Sequence, residues 1–324
     1  MENSVQLAQV WRGDFLECTH NGHAVIVDAQ GDIKGAWGNP DQVILPRSSC
    51  KILQAMPLMR SGAAQKFRLS QEQLALACSS HQGAQMHTDL VVNWLGALDL
   101  GRDDLRCGPQ RPSDFSTANA LVKAGQKPCQ IHNNCSGKHA GFLTLNAHMG
   151  GDAEYTEMDH PVQQAALEAF EEFCDEKSAG WAIDGCSAPN FATSLGGLAG
   201  AMARIGGDAD GRVLADAMAR HPLLVAGEGR ACSELMQACE GRAVVKTGAE
   251  GVFTAILLDQ GIGIALKVDD GAMRGAEAAI AALLVRMGVA ELDHPLIQKR
   301  LNVDQLNRRK IRTGVVCAAP ALLA

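Results

Sequence analysis

The sequence contains one tyrosine, only 4% aromatic residues and no long block of like charge, and each shortage excludes a class of function. Nucleic-acid-binding surfaces combine clusters of Arg and Lys with aromatic side chains. No such cluster is present, so we expect no nucleic-acid partner. No apolar run approaches the ~18 residues of a membrane helix, and no charged segment followed by an apolar run opens the chain. We therefore expect no membrane partner and a soluble cytoplasmic protein.

Cysteine is frequent, but its pattern does not indicate a disulfide framework. The eleven cysteines are odd in number and scattered, without short paired spacings. This pattern favours reduced thiols, some buried and a few bound to metal. The net charge of −7 is spread along the chain, which favours a small or neutral substrate.

Strand patterns occur at both ends of the chain and helical patterns lie between them. A hairpin pattern over about 20–45 and a meander over about 243–268 flank a largely helical region over about 48–240. Because both ends supply strands, we expect an α+β fold with one antiparallel sheet closed by the two termini. With 47% hydrophobic residues, the 324 residues suffice for a single catalytic domain over 1–324.

A serine and a lysine stand one turn apart where the first hairpin gives way to a helix predicted from Ser48 to about Met59. Pro46 suits a first helical turn. At i, i+3 spacing, the amine of Lys51 can reach the hydroxyl of Ser48. A serine becomes a good nucleophile only when a neighbour takes its proton, and a lysine can do so when its pKa is lowered. The motif alone is weak, because this spacing is common by chance.

A second motif, Lys246-Thr247-Gly248, is predicted at the end of a late strand. In serine β-lactamases and penicillin-binding proteins this K-T-G element accompanies S-x-x-K. The usual middle element of those enzymes is not convincingly present. Ser80 with His81 at a helix end, and the stretch from His132 to His139, stand in its place.

Taken together, these stretches closely resemble the rhizobial-type L-asparaginases, whose fold is similar to that of serine β-lactamases and glutaminases. The resemblance runs from about residue 22 to 271. Its blocks are Gly38-Asn39-Pro40, Arg47-Ser48 with Lys51, Cys78 with Ser80-His81, Leu105 to Gly108, Asn134 to His139, Asp159-His160-Pro161, Asp184-Gly185-Cys186, His221-Pro222 with Val225 to Arg230, and Lys246 with Gly248-Ala249. Many blocks in one order are far more specific than any single motif.

The resemblance implies two Ser–Lys couples in one pocket, Ser48 with Lys51 and Ser80 with Lys246. A second lysine nearby, together with burial, would help to keep Lys51 neutral through repulsion between like charges. Ser80 would then relay a proton or orient Lys51, or would itself be the acylated residue.

The resemblance also implies a zinc ion held by Cys135, Lys138 and Cys186. By ligand chemistry alone, Cys135 with His139 at i, i+4 would be the conventional pair. A lysine ligand is unusual because its amine must lose a proton to bind metal. With a nucleophile already present, zinc would organise the substrate pocket, and His139 would be a packing or substrate-binding residue.

Two further residues suit the recognition of an amino-acid substrate. The guanidinium of Arg47 can pair with a substrate α-carboxylate, the alternative being a surface salt bridge. Asp184 can accept the α-amino group or orient a zinc ligand, and a turn aspartate is equally compatible with its position. These residues suit the L-asparagine hydrolase that the resemblance implies. The resemblance also implies a homodimer.

Three function classes remain open. The first is an L-asparaginase, with glutaminase activity as a variant. The second is a β-lactam-recognising serine hydrolase, which the absence of a secretory signal disfavours. The third is a zinc-binding module whose serines are structural.

Overall fold

The structure is a computed structural model that describes residues 3–324. These residues form twelve strands, which are β1 Val5–Arg12, β2 Phe15–Asp28, β3 Ile33–Trp37, β4 Val43–Ile44, β5 Trp181–Ile183, β6 Pro189–Phe191, β7 Thr193–Ser194, β8 Ala243–Gly248, β9 Val252–Leu257, β10 Ile262–Val268, β11 Asn302–Leu306 and β12 Arg312–Ala318. The thirteen α-helices are α1 Lys51–Arg60, α2 Ala63–Lys66, α3 Gln71–Ala77, α4 Gln85–Gly96, α5 Phe115–Lys123, α6 Ser136–Met149, α7 Pro161–Cys174, α8 Leu195–Gly207, α9 Ala209–Arg220, α10 Pro222–Val225, α11 Ala231–Ala238, α12 Met273–Arg286 and α13 Pro295–Leu301.

One eight-stranded antiparallel sheet organises the molecule. Its order is β11-β12-β1-β2-β10-β9-β8, and β3 also pairs with β2. This branching is possible because β2 is 14 residues long. Its first half pairs with β1, and its second half lies between β3 and β10. The predicted α+β class, with a sheet closed by both ends of the chain, is confirmed.

The three strands nearest the site are buried at every position, which requires cover on both faces of the sheet. Helix α8 packs against β2, β9 and β10, and α12 packs against β1, β9, β10 and β12. Gly263 on β10 permits the approach of α8, because a Cβ there would lie 1.9 Å from the carbonyl oxygen of Ala199.

The predicted sheet was too small. We expected strands over about 20–45 and 243–268, whereas the structure adds β1 before them and β11 and β12 after them. Strand β11 alternates between exposed and half-buried residues, so it has no apolar run to mark it. The division into a single catalytic domain stays a prediction.

The predicted helix from Ser48 also begins later than expected. Arg47–Cys50 form a 3₁₀ turn, and α1 starts at Lys51. Arg47 has φ +54°, which an α-helix does not allow. Pro57 lies inside α1, which ends three residues later. Within residues 3–324, no helix combines the length and the apolar character needed to cross a bilayer.

Candidate active site

Ser48 lies on a tight turn that is packed against the end of β8. The hydroxyl of Ser49 donates to the carbonyl of Pro46 at 2.8 Å, and the hydroxyl of Thr254 donates to the carbonyl of Ser49 at 3.1 Å. Gly248 must be glycine here, because a Cβ would lie 2.3 Å from the Pro46 carbonyl oxygen. The K-T-G glycine therefore brings β8 against the turn that carries Ser48.

The amine of Lys51 is buried and has three hydrogen-bond acceptors. It donates to the carbonyl of Ser79 at 2.5 Å, to Oγ of Ser80 at 3.0 Å and to Sγ of Cys135 at 3.1 Å. Three acceptors match the three N–H groups of an ammonium. Ser48 is half-buried, and its hydroxyl has no hydrogen bond to any of residues 3–324. The structure therefore places Lys51 on Ser80 and not on Ser48.

Ser80 joins the two lysines. Its Oγ lies 2.8 Å from Nζ of Lys246 and 3.0 Å from Nζ of Lys51. The amine of Lys246 also donates to the carbonyl of Thr247 at 2.9 Å. The backbone N–H of Ser80 donates to the carbonyl of Val225 at 2.9 Å, which fixes the loop after α3. Three of the four predicted catalytic residues thus form one continuous chain of contacts.

Lys246 has the properties of a base. Burial lowers its pKa to about 7, and the charge of Lys51 acts in the same direction. The thiol of Cys232 acts in the opposite direction and lies behind the same strand, where it accepts the N–H of Thr247 at 3.2 Å. Near neutral pH, a neutral Lys246 can donate to the Thr247 carbonyl and accept the proton of Ser80.

A group of thiols borders the other side of Lys51. The amine of Lys138 lies 3.1 Å from Sγ of Cys186. Pairing with Cys135 and the charge of Lys138 hold the pKa of Cys186 well below its usual value, although burial opposes this. The same pairing and burial raise the pKa of Cys135 well above its usual value. Burial disfavours the charge on Lys138, but Cys186, Cys135 and Asp184 together outweigh it, so the pKa of Lys138 is raised.

His139 is fully buried beside these thiols. Its Nδ1 lies 2.9 Å from the hydroxyl of Tyr155, which accepts the N–H of Arg106 at 2.8 Å. The Tyr155 hydroxyl can donate to Nδ1, and the proton of a neutral ring then lies on Nε2. That Nε2 is buried and has no hydrogen-bond partner in the described part of the chain. Burial lowers the pKa of His139.

Cys135, Lys138 and Cys186, the predicted zinc ligands, lie close together beside Lys51. Residues 3–324 contain no group of three or more His, Cys, Asp and Glu side chains that could hold a metal. Two thiols and the Lys138 amine do converge, and thiolate is a preferred zinc ligand. With an unpartnered Nε2 of His139 close by, Cys135, Lys138 and Cys186 are compatible with the predicted ligand set.

Arg47 and Asp184, the two residues predicted to recognise substrate, bind each other. Nε and Nη2 of Arg47 donate to Oδ1 of Asp184 at 3.0 and 2.7 Å, and the N–H of Gly185 donates to the same oxygen at 2.6 Å. Oδ2 of Asp184 and Nη1 of Arg47 have no hydrogen-bond partner among residues 3–324. The backbone N–H of Arg47 donates to Oδ1 of Asn190 at 3.1 Å, which supports its left-handed φ.

Three residues that contact the predicted ones or the K-T-G motif were not found from the sequence. They are Cys232, Tyr155 and Asn190. Each reaches the site through the tertiary fold, so no local spacing marks it.

A serine hydroxyl held between two buried lysine amines, one with a lowered pKa, can take part in proton transfer. The family comparison gives the class of protein. The model of the L-asparaginase II family matches residues 8–318. The chain therefore belongs to the L-asparaginase II family and is an amidohydrolase, so the predicted family resemblance is confirmed.

Solved structures give only distant similarities. A β-lactamase from Mycobacterium bovis is 12% identical with a TM-score of 0.45, and the match covers 82% of this chain and 94% of that one. A putative β-lactamase from Bacteroides dorei is 12% identical with a TM-score of 0.42, covering 76% and 84%. An octameric penicillin-binding protein homologue from Pyrococcus abyssi is 12% identical with a TM-score of 0.38, covering 86% and 75%. No curated protein matches the chain.

Proposed function

We propose that the protein hydrolyses the side-chain amide of L-asparagine to L-aspartate and ammonia through an acyl-enzyme. The family supports an amidohydrolase of the asparaginase type. The observation that carries the mechanism is the contact chain from Lys51 through Ser80 to Lys246, which ends in an amine with a pKa of about 7.

In this mechanism Ser48 attacks the amide carbon, and its proton enters the series of contacts formed by Lys51, Ser80 and Lys246. Lys51 first passes one of its protons to Ser80 while Ser80 passes its own to Lys246. The lone pair freed on Lys51 then takes the proton of Ser48, once the Ser48 hydroxyl has turned toward it. Lys246 begins neutral and ends as an ammonium, so charge and protons balance. Proton transfer in the opposite direction, from Lys246 through Ser80 to Lys51, supplies a proton to the departing ammonia. Water then attacks the ester, which releases L-aspartate and restores the Ser48 hydroxyl.

Ser80 is the alternative acylated residue, which its direct contact with Lys246 favours. The two assignments differ in which variant forms an adduct. If Ser48 is the nucleophile, Ser80→Ala should still acylate slowly with a reactive asparagine analogue, and Ser48→Ala should not. Intact-mass spectrometry of both variants after exposure to the analogue decides between them, because the opposite pattern assigns the nucleophile to Ser80.

Arg47 and Asp184 suit the two charged groups of an amino acid. Each keeps one unbonded atom, Nη1 and Oδ2, beside the turn that carries Ser48. In our proposal Nη1 binds the α-carboxylate and Oδ2 accepts from the α-ammonium. Their pairing orients both groups before substrate arrives, which lowers the entropy cost of binding.

We also propose a Zn²⁺ site formed by Cys135, Lys138 and Cys186. A bound zinc ion would supply a fixed positive charge that orders this wall of the pocket. Hydrogen bonds support the position of both thiols in this proposal, because Sγ of Cys135 accepts from Lys51 and Sγ of Cys186 accepts from Lys138. His139, supported by Tyr155, packs behind the thiols and is a candidate for substrate binding through its unpartnered Nε2.

Two expectations from the resemblance and the composition belong to the same proposal, a homodimer and a cytoplasmic location. Light scattering coupled to size exclusion should give twice the 34.2 kDa of one chain. A monomer at micromolar concentration would contradict the dimer. Fractionation of the source cells tests the location.

Ammonia release from L-asparagine tests the proposed function directly. Wild-type protein should release ammonia, and Ser80→Ala and Lys246→Met should lose at least ~100-fold in kcat/KM. Nitrocefin serves as the parallel substrate for the β-lactam alternative. Turnover of nitrocefin without release of ammonia from asparagine would refute the proposed function.

A further inference from the structure

The turn that carries Ser48 is held from two sides, once on each neighbour of Ser48. Before it, the backbone N–H of Arg47 donates to Oδ1 of Asn190 at 3.1 Å. After it, the carbonyl of Ser49 accepts the hydroxyl of Thr254 at 3.1 Å. The Ser48 side chain adds no anchor, because its hydroxyl has no hydrogen bond within the described part of the chain. Its position therefore depends on the contacts that its neighbours make.

Thr254 also contacts the strand that carries Lys246. It lies on β9 opposite Lys246 in the β8–β9 register, and it is 1% exposed. Its hydroxyl lies 3.4 Å from the carbonyl of Lys246 as well as 3.1 Å from that of Ser49. A hydroxyl has one proton to donate, so the two carbonyls share it. One buried group thus joins the turn of Ser48 to the strand of Lys246.

The sheet itself does not need this hydroxyl. The other five residues of β9 are apolar and buried. Valine has the branched shape and the strand propensity of threonine without its hydroxyl, so it would suit β9 equally well. Among residues 3–324, Thr254 makes the only hydrogen bond between the β8–β9 hairpin and the turn Arg47–Cys50. The polar side chain therefore serves the turn and not the strand.

The amine of Lys51 is fixed by groups outside that turn. It donates to the carbonyl of Ser79, to Oγ of Ser80 and to Sγ of Cys135. A shift of the turn would therefore move Ser48 relative to the amine that takes its proton. Misplacement of reacting groups by ~1 Å can reduce a rate by about 100-fold.

We infer that Thr254 is a positioning residue that holds Ser48 at the distance from Lys51 that proton transfer requires. It acts through the carbonyl of Ser49 and not by contact with the substrate. This inference rests on the proposed function, with Ser48 as the attacking residue. It predicts a slower reaction with little change in substrate binding, because the Arg47 end of the turn has an anchor of its own.

Removal of the hydroxyl tests the inference in ammonia release from L-asparagine. Thr254→Val and Thr254→Ala should each reduce kcat by about tenfold or more, with the KM for L-asparagine and the calorimetric Kd of L-aspartate within about twofold. Thr254→Ser keeps the donor and should retain kcat within about threefold. The alanine variant is included because the added methyl of valine would lie close to the Ser49 carbonyl, where the hydroxyl lies now.

Thr88→Val is the matched control for stability. Thr88 is also a buried threonine, and its hydroxyl donates to the carbonyl of Gln85 at 3.0 Å on α4. Its replacement should lower the melting temperature about as much as Thr254→Val does, without a change in kcat. Equal losses of kcat in these two variants would overturn the inference. A Thr254→Ser variant as slow as Thr254→Val would overturn it too, since the hydroxyl would then be irrelevant.

A serine-directed sulfonyl fluoride measures the reactivity of Ser48 without any amide substrate. Peptide mapping by mass spectrometry follows adduct formation at Ser48 in the full-length protein. We expect Thr254→Val to be labelled about tenfold more slowly than the wild type. Equal rates, or no Ser48 adduct in the wild type, would overturn the inference. A wild-type protein that releases no ammonia from asparagine refutes the proposed function, while the labelling rates still decide the role of Thr254.

Discussion

Replacing Lys246 by methionine should change how the stability of the protein depends on pH. An unfolded lysine loses its proton near pH 10.4, whereas burial lowers the folded pKa of Lys246 to about 7. Between these values the unfolded chain binds a proton that the folded protein does not. The wild-type free energy of unfolding therefore gains about 1.4 kcal/mol per pH unit from this residue as pH rises. Below pH 7 both states are protonated, and the contribution becomes constant.

The magnitude at one pH follows from the same values. At pH 7 the buried amine costs the wild-type protein about 4 kcal/mol. Methionine removes that cost but also removes the contacts to Ser80 and to the carbonyl of Thr247, worth about 1 kcal/mol each. We expect Lys246→Met to be more stable by roughly 2 kcal/mol at pH 7 and less stable than the wild type near pH 10.

Urea denaturation from pH 6 to 10 measures this difference. Titrating groups that do not interact with Lys246 affect both proteins alike, so they cancel in the comparison. Lys123→Met, at an exposed lysine that ends α5, is the control and should follow the wild type at every pH. A stability difference between wild type and Lys246→Met that does not change between pH 7 and 9 would refute the lowered pKa of Lys246.

Two further predictions concern the packing of the site and its metal. Gly248→Ala should destabilise the protein by about 1–3 kcal/mol and reduce kcat, because its Cβ would meet a carbonyl oxygen 2.3 Å away. Gly96→Ala, with no atom within 4 Å of its Cβ, is the control and should be neutral in melting and activity. Elemental analysis should find about one zinc per chain, less at acid pH because the ligands must be deprotonated. Cys135→Ala and Cys186→Ala should lose that zinc, whereas Cys18→Ala, at an exposed thiol, should keep it; equal zinc in all three would contradict the site.

The class of fold could be predicted because strand and helix patterns are local. Short apolar runs around Val25 and Val244 predict strands, and the structure forms β2 and β8 there. Strand β11 could not be found, since it is polar and owes its conformation to pairing with β12. The start of α1 was misplaced because the left-handed φ of Arg47 is imposed by β8 and Asn190, which are distant in the sequence.

The site was predictable in its residues but not in their pairing. Spacing alone joined Ser48 to Lys51, whereas the folded chain directs Lys51 to Ser80 and to Cys135. From the sequence, we expected repulsion and burial to act on Lys51. In the structure the lowered pKa belongs to Lys246, which is buried on β8. Burial is a property of the assembled sheet, and no motif encodes it.

The most direct test of the mechanism is the pH dependence of ammonia release from L-asparagine by the wild-type enzyme. The account predicts that kcat/KM rises with an apparent pKa close to 7, because Lys246 must be neutral to take the proton relayed through Ser80. A rate that is constant from pH 5.5 to 9, or that falls as Lys246 deprotonates, would contradict it.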